Sequence, residues 1–196
     1  MKTLGVTGNI GSGKSYICSL LMKHGMPYYN CDNRSKYIVN NDENVQREIV
    51  AIFGTKSYID GIFNRDHIAK NIMLDNSLLN RVENILKKPM LEDLNMFKSQ
   101  YVNKEFICLE SAILLESDFR AEVDDILLVT STMENKIKRI KQRDPFRTDE
   151  EIDFLFKNQL NEEDMKKVCK YIIKNDDRNE NELNIEIKKI LIDFKN

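Results

Sequence analysis

No apolar run in this 196-residue chain approaches the length needed to cross a bilayer, so a membrane-spanning protein is excluded at the outset. One early lysine and the five residues before Gly8 are too short for a signal peptide's apolar region, which points to a cytoplasmic protein. An excess of one charge is missing too. Lys and Arg number 30 against 32 Asp and Glu, and a net charge of -2 gives no global attraction for nucleic acid or an anionic membrane. The four cysteines, Cys18, Cys31, Cys108 and Cys169, show no CxxC spacing, so neither a zinc site nor a disulfide framework is expected. Only two histidines occur, His24 and His67; both fall in helical patterns and read as structural. No internal repeat or low-complexity tract appears.

What is present describes one compact α/β domain with additions. Short β-rich runs, KTLGVT, YYNC at 28–31, FICLES at 106–111, DILLVTS at 125–131 and YIIKN at 171–175, alternate with helical patterns. That alternation predicts a parallel sheet covered on both faces by helices. Two stretches lack strands and read as helical additions. The first, 33–103, carries Pro89 as a boundary between two helices. The second, 133–168, is dense in Lys, Arg and Glu, with capping-box pairs Ser131/Glu134 and Thr148/Glu151 on either side of an exposed turn, QRDPFR. Ile and Leu at helical spacing from Glu182 to Phe194 predict a closing amphipathic helix.

Chemistry enters at GNIGSGKS, residues 8–15, which fits G-x-x-x-x-G-K-[ST] with a predicted strand before it and a helix after it. Gly8, Gly11 and Gly13 let the backbone N–H groups around Ser12 turn inward, and the helix start adds its positive end, which makes a nest for phosphate oxygens. Lys14 then reaches the β and γ phosphates of ATP, and Ser15 offers its hydroxyl to Mg²⁺. The bland alternative is a turn that only joins strand to helix. A GTP-binding switch is excluded, because Asn135-Lys136 continues with Ile137 and Lys138, and Asn103-Lys104 with Glu105 and Phe106, rather than in the NKxD pattern.

Asp32, in CDNRSK after the second strand, falls at the strand edge where ligands bind in open α/β sheets. It is either the carboxylate that accepts a proton from an acceptor hydroxyl or a cap for a helix beginning near Asn33. Arg139 and Arg143, four apart on one helix face, with Arg147 beyond Pro145, are either a cationic flap over ATP or a solvated face. Tyr28 and Tyr29 read as core or rim.

Taken in order, these segments resemble the dephospho-CoA kinase family over nearly the whole chain. LGVTGNIGSGKS is similar to the family's opening strand and loop, YYNCDNRSK to its aspartate-bearing segment, and FGTKSYIDGIFNR to the stretch ending in arginine, here Arg65. LESAILLE, with Glu110, is similar to its acidic strand end, KRIKQRD to its lid helix, and CKYIIKN to the strand ending in asparagine, here Asn175. Departures are Asn30 for Asp, Tyr16 for Thr, Lys88 before Pro89 for His, Ala112 for Pro, Pro145 for Gly and Leu155 for Arg.

The resemblance implies a three-layer P-loop fold with a five-stranded parallel sheet, its core at 1–32, 104–132 and 169–196. It also implies a helical acceptor-binding region at 33–103 and a lid at 133–168. Implied catalytic groups are Asp32, Lys14 and Arg143. Implied nucleotide contacts are the loop, Tyr16, Arg139 and Asn175, and implied acceptor contacts are Asp32, Arg65, Lys88 and Glu110. ATP, Mg²⁺ and dephospho-CoA are the expected partners, with phosphate going to the ribose 3′-hydroxyl; a monomer is expected with an oligomer left open, and another nucleotide or small-molecule P-loop kinase is the alternative function.

Overall fold

The computed structural model describes residues 1–176 and 178–196. In chain order the first elements are β1 (Lys2–Thr7), α1 (Lys14–Lys23), β2 (Tyr28–Asn30), α2 (Cys31–Asn41) and α3 (Glu43–Phe53). A hairpin of β3 (Tyr58–Ile59) and β4 (Ile62–Phe63) precedes α4 (Arg65–Leu74) and α5 (Ser77–Gln100). Then come β5 (Phe106–Glu110), β6 (Asp125–Thr130), α6 (Met133–Arg143), α7 (Asp149–Lys157) and α8 (Glu162–Val168). The chain closes with β7 (Tyr171–Lys174) and α9 (Glu180–Lys195). Among the described residues no helix is long and apolar enough to cross a membrane.

Contacts divide the chain into two compact units, residues 1–29 with 102–196 and residues 30–101. The five-stranded sheet has the order β2-β5-β1-β6-β7. β1 pairs in parallel with both β5 and β6, and β6 pairs in parallel with β7. Each predicted β-run contains one of these strands. β1 shows why the sheet needs two covers. Its Leu4 and Val6 enter a core with Ile17, Leu20 and Leu21 of α1 and Leu183, Ile187 and Phe194 of α9. Gly5 faces the other way, where a Cβ would lie 2.6 Å from Leu114 and 3.1 Å from Val123, so the chain between β5 and β6 seals that face. Burying each such Leu, Ile or Phe side chain stabilises the fold by about 1.5–3 kcal/mol before entropy is charged against it.

Residues 30–101 build a separate helical unit. Ile38 and Val39 of α2, Val45, Ile49 and Phe53 of α3, Ile68 of α4, and Met90 and Leu94 of α5 are its buried apolar residues. Arg34 of α2 grips Asp93 of α5 through two guanidinium nitrogens, one of them 2.8 Å from Oδ2.

Four local expectations are corrected. Pro89 lies inside α5 rather than between two helices, because Met90, Asp93 and Leu94 are buried just beyond it and hold the helix in register. Near Asp32 the helix starts at Cys31, and its cap is Asn30, whose side chain accepts from the Asn33 N–H. Asp32 therefore does not cap it. α6 is capped by Thr132, which accepts from the Asn135 N–H, because the Ser131 hydroxyl is committed to the carboxylate of Asp176, 2.7 Å away. The β3-β4 hairpin was not anticipated; two-residue strands are too short to leave a periodic signal. The Thr148/Glu151 box does form, the exposed turn holds Phe146 at 97% exposure, and α9 begins two residues earlier than expected, at its own Asn179/Glu182 box.

Candidate active site

The phosphate loop leaves β1 at Thr7 and enters α1 at Lys14. Gly11 and Gly13 hold φ of +78° and +91°, a region that side chains disfavour. Space forbids a side chain as well: a Cβ on Gly11 would stand 2.5 Å from the Lys136 carbonyl oxygen, and one on Gly13 would strike the Asn175 amide. Gly13 gives α1 no side-chain cap, and the first turn carries no acidic residue, so the positive end of the helix is presented to an anion. The Ser12 hydroxyl is buried without a hydrogen-bond partner among the described residues.

Lys14 folds back over the loop, its Nζ 2.8 Å from the Gly8 carbonyl and 3.4 Å from that of Asn9. The Ser15 hydroxyl donates to Glu110 Oε1 at 3.0 Å, and the Tyr28 hydroxyl donates to the other oxygen of the same carboxylate. Glu110 is the last residue of β5 and is only 5% exposed, so these hydroxyls supply hydrogen bonds that bulk water largely cannot. The resemblance implies an acceptor contact for Glu110; in the structure its carboxylate meets Ser15 and Tyr28. Tyr29, beside Tyr28, is core at 1% exposure.

Behind the loop stands a polar brace. Arg139 donates to the carbonyl oxygens of Gly11, Ser12 and Asn175 and to the Ser131 hydroxyl, over 2.7–3.3 Å. The Asn175 side chain donates to the same Ser12 carbonyl at 2.9 Å. Burial opposes the charge on Asp176, but hydrogen bonds from the Thr132 N–H and the Ser131 hydroxyl outweigh it and hold that carboxyl well below its ordinary range. Tyr16, Arg139 and Arg143 line a recess of about 190 Å³ together with Gly13, Lys14 and Ser15. Arg143 closes α6 with its guanidinium 2.8 Å from Asp144, and Arg147 approaches the same carboxylate at 3.5 Å.

Asp32, Arg65 and Lys88 belong to the helical unit. Asp32 is the second residue of α2 and exposed; Arg65 is the first residue of α4, after its cap Asn64, and also exposed. Lys88 extends from α5 at 84% side-chain exposure, 3.7 Å from Glu92. Two of the buried cysteines, Cys18 and Cys169, are disfavoured as nucleophiles. A hydrogen bond with Cys108, then burial, pushes the Cys18 thiol well above its usual value, and burial lifts Cys169 to about 11.

The sequence profile of dephospho-CoA kinases matches residues 2–181. The chain belongs to the dephospho-CoA kinase family. A dephospho-CoA kinase of Bacteroides fragilis is 31% identical over 173 residues, covering 88% of this chain and 84% of its own length. Among solved structures, a Thermus thermophilus protein superposes with a TM-score of 0.84 at 24% identity, over 98% of this chain and 96% of that one. A dephospho-CoA kinase from Campylobacter jejuni gives 0.66 at 20% identity, over 100% and 98%. At these identities the two structures attest the fold, an α/β P-loop kinase. Membership in the family makes the protein an enzyme with dephospho-CoA kinase activity, in coenzyme A biosynthesis, and a user of ATP.

In this dephospho-CoA kinase family member, sequence reasoning missed Asp176 and Gln159. Gln159 accepts a hydrogen bond from the Ile10 N–H at 2.9 Å across 149 residues of sequence. No local pattern announces a partner at that separation. Ser131 was noticed, as a helix cap, and has a different task.

Proposed function

We propose that ATP enters the loop of residues 8–15 and that its γ-phosphoryl group passes to the ribose 3′-hydroxyl of dephospho-CoA carried by residues 30–101. The observation that carries this is the loop's donor set: an uncapped helix start, a buried Ser12 hydroxyl without a partner, and Lys14 resting on carbonyl oxygens that a triphosphate would outcompete for its charge. Oxygen donors from Ser15 and Glu110 suit Mg²⁺, a hard cation, and Ser15 would hold it while Glu110 orients its water. Bound there, Mg²⁺ supplies positive charge to the β and γ oxygens.

Asp32 follows the last residue of β2 by two positions, at the carboxyl end of a sheet strand, where acceptors bind in this class of fold. It takes the proton of the attacking hydroxyl. Arg143, held by Asp144 at the mouth of the recess, turns toward the transferring group as its charge spreads. Arg139 and Asn175 keep the loop's Ser12 carbonyl turned back, so that its N–H groups face the phosphates. Residues 133–168 act as the lid and residues 30–101 as the acceptor region. Arg65 and Lys88 supply positive charge to the acceptor's pyrophosphate. The enzyme works in the cytoplasm as a monomer.

The test is a panel of acceptors with ATP and Mg²⁺. Dephospho-CoA should show a kcat/KM at least about a hundredfold above adenosine or AMP, because binding energy from its pantetheine arm aligns the distant hydroxyl. Equal use of a simple nucleoside, or preference for a nucleoside monophosphate, would reject the assignment of residues 30–101.

A further inference from the structure

The corner between α7 and α8 reaches the phosphate loop from the far end of the chain. α7 stops at its C-cap Asn158, and α8 starts at Asn161, which caps it by accepting from the Glu163 N–H at 2.8 Å. Two residues, Gln159 and Leu160, remain between these caps. Gln159 Oε1 takes the Ile10 N–H at 2.9 Å, and the Asn9 side chain donates to the Leu160 carbonyl at 3.5 Å. Nearby, Lys136, only 4% exposed, is ion-paired with Glu162, and its carbonyl is the group that Gly11 must leave room for. Asn9 and Ile10 are thus held from this corner, while Gly11 is held by Arg139 and Ser12 by Arg139 and Asn175.

A loop of glycines without such contacts would sample many conformations and lose that freedom on binding. The Ile10 N–H, a backbone donor in the first half of the loop, is held by a side chain of the segment 133–168, and Gln159 is its acceptor. We propose that Gln159 is a positioning residue for ATP: by accepting from Ile10 it fixes the Asn9–Ile10 peptide and keeps the rest of the loop preformed for the triphosphate. Gln159 acts through the loop and makes no claim on the transferring phosphoryl group. This rests on the reading of the loop as the ATP site.

Gln159→Met keeps length and bulk but removes the acceptor; Gln159→Glu keeps an acceptor oxygen. A neutral hydrogen bond contributes about 0.5–1.5 kcal/mol, so losing it should weaken ATP binding roughly two- to tenfold. ATP dissociation constants, KM for each substrate, thermal midpoints and hydrogen exchange at the Ile10 amide are measured on the full chain. In Gln159→Met the constants for ATP should rise by that factor, KM for dephospho-CoA should stay within about twofold, the midpoint should hold, and Ile10 exchange should quicken. Gln159→Glu should restore slow exchange. Failure of the unaltered protein to bind ATP would overturn the reading of the loop and this role together. Unchanged ATP binding in Gln159→Met beside a wild type that binds, or equal losses for both substrates with a lowered midpoint, would overturn the role of Gln159 alone.

Discussion

Asp32 shows how far one residue can be read. Its type and its place after a β-run marked it as a proton acceptor or a helix cap, and both readings fit because Asp suits either task. Asn30 removes the second: its side chain takes the Asn33 N–H at 2.7 Å, leaving Asp32 in the first turn, where the helix dipole favours its carboxylate by about 0.3–1 kcal/mol. Asp32→Asn should therefore cost less than about 1 kcal/mol in stability, read from a denaturation midpoint. Turnover is another matter. A positioned general base contributes roughly 10²–10⁴-fold, so kcat should fall at least about a hundredfold while KM for ATP hardly moves. A kcat within about tenfold of wild type would assign the proton elsewhere.

Among elements, α5 departs most from its sequence. Pro89 has no N–H to give the Ile85 carbonyl, and a proline inside a helix costs about 3 kcal/mol relative to alanine, which is why a boundary was expected there. Burial overrides that preference. Met90 and Leu94 are in the core, and the Arg34–Asp93 pair ties the C-terminal half of α5 to α2. Pro89→Ala should raise the stability of the protein by about 1–3 kcal/mol, less than the full helix penalty because alanine also loosens the unfolded chain. Guanidinium denaturation reads this directly, and a lower midpoint would mean that α5 needs its proline for shape. Strands and caps were more legible. Each sheet strand lay within an apolar run, and Thr148/Glu151 formed as spaced, whereas Ser131/Glu134 failed because Asp176 offers the Ser131 hydroxyl a stronger partner.

At the scale of the molecule, the proposed substrate contacts fall in different units. The phosphate loop and Arg143 belong to residues 1–29 and 102–196, while Asp32, Arg65 and Lys88 belong to residues 30–101. Arg65→Ala should accordingly raise KM for dephospho-CoA roughly tenfold, the loss expected for one charge-assisted contact, and leave KM for ATP within about twofold. A matching rise for ATP would remove Arg65 from the acceptor side. The sequence by itself determined the loop, its glycines, the parallel strands and the helical character of the rest, because these follow from backbone preferences and periodicities that act over a few residues. Only the tertiary structure decided that Glu110 serves Ser15, that Arg139 and Asn175 brace Ser12 from behind, and that Gln159 holds Ile10. Those partners lie between 95 and 163 residues apart in sequence, and a hydrogen bond across such a span depends on where the packed elements bring each group, which no local pattern encodes.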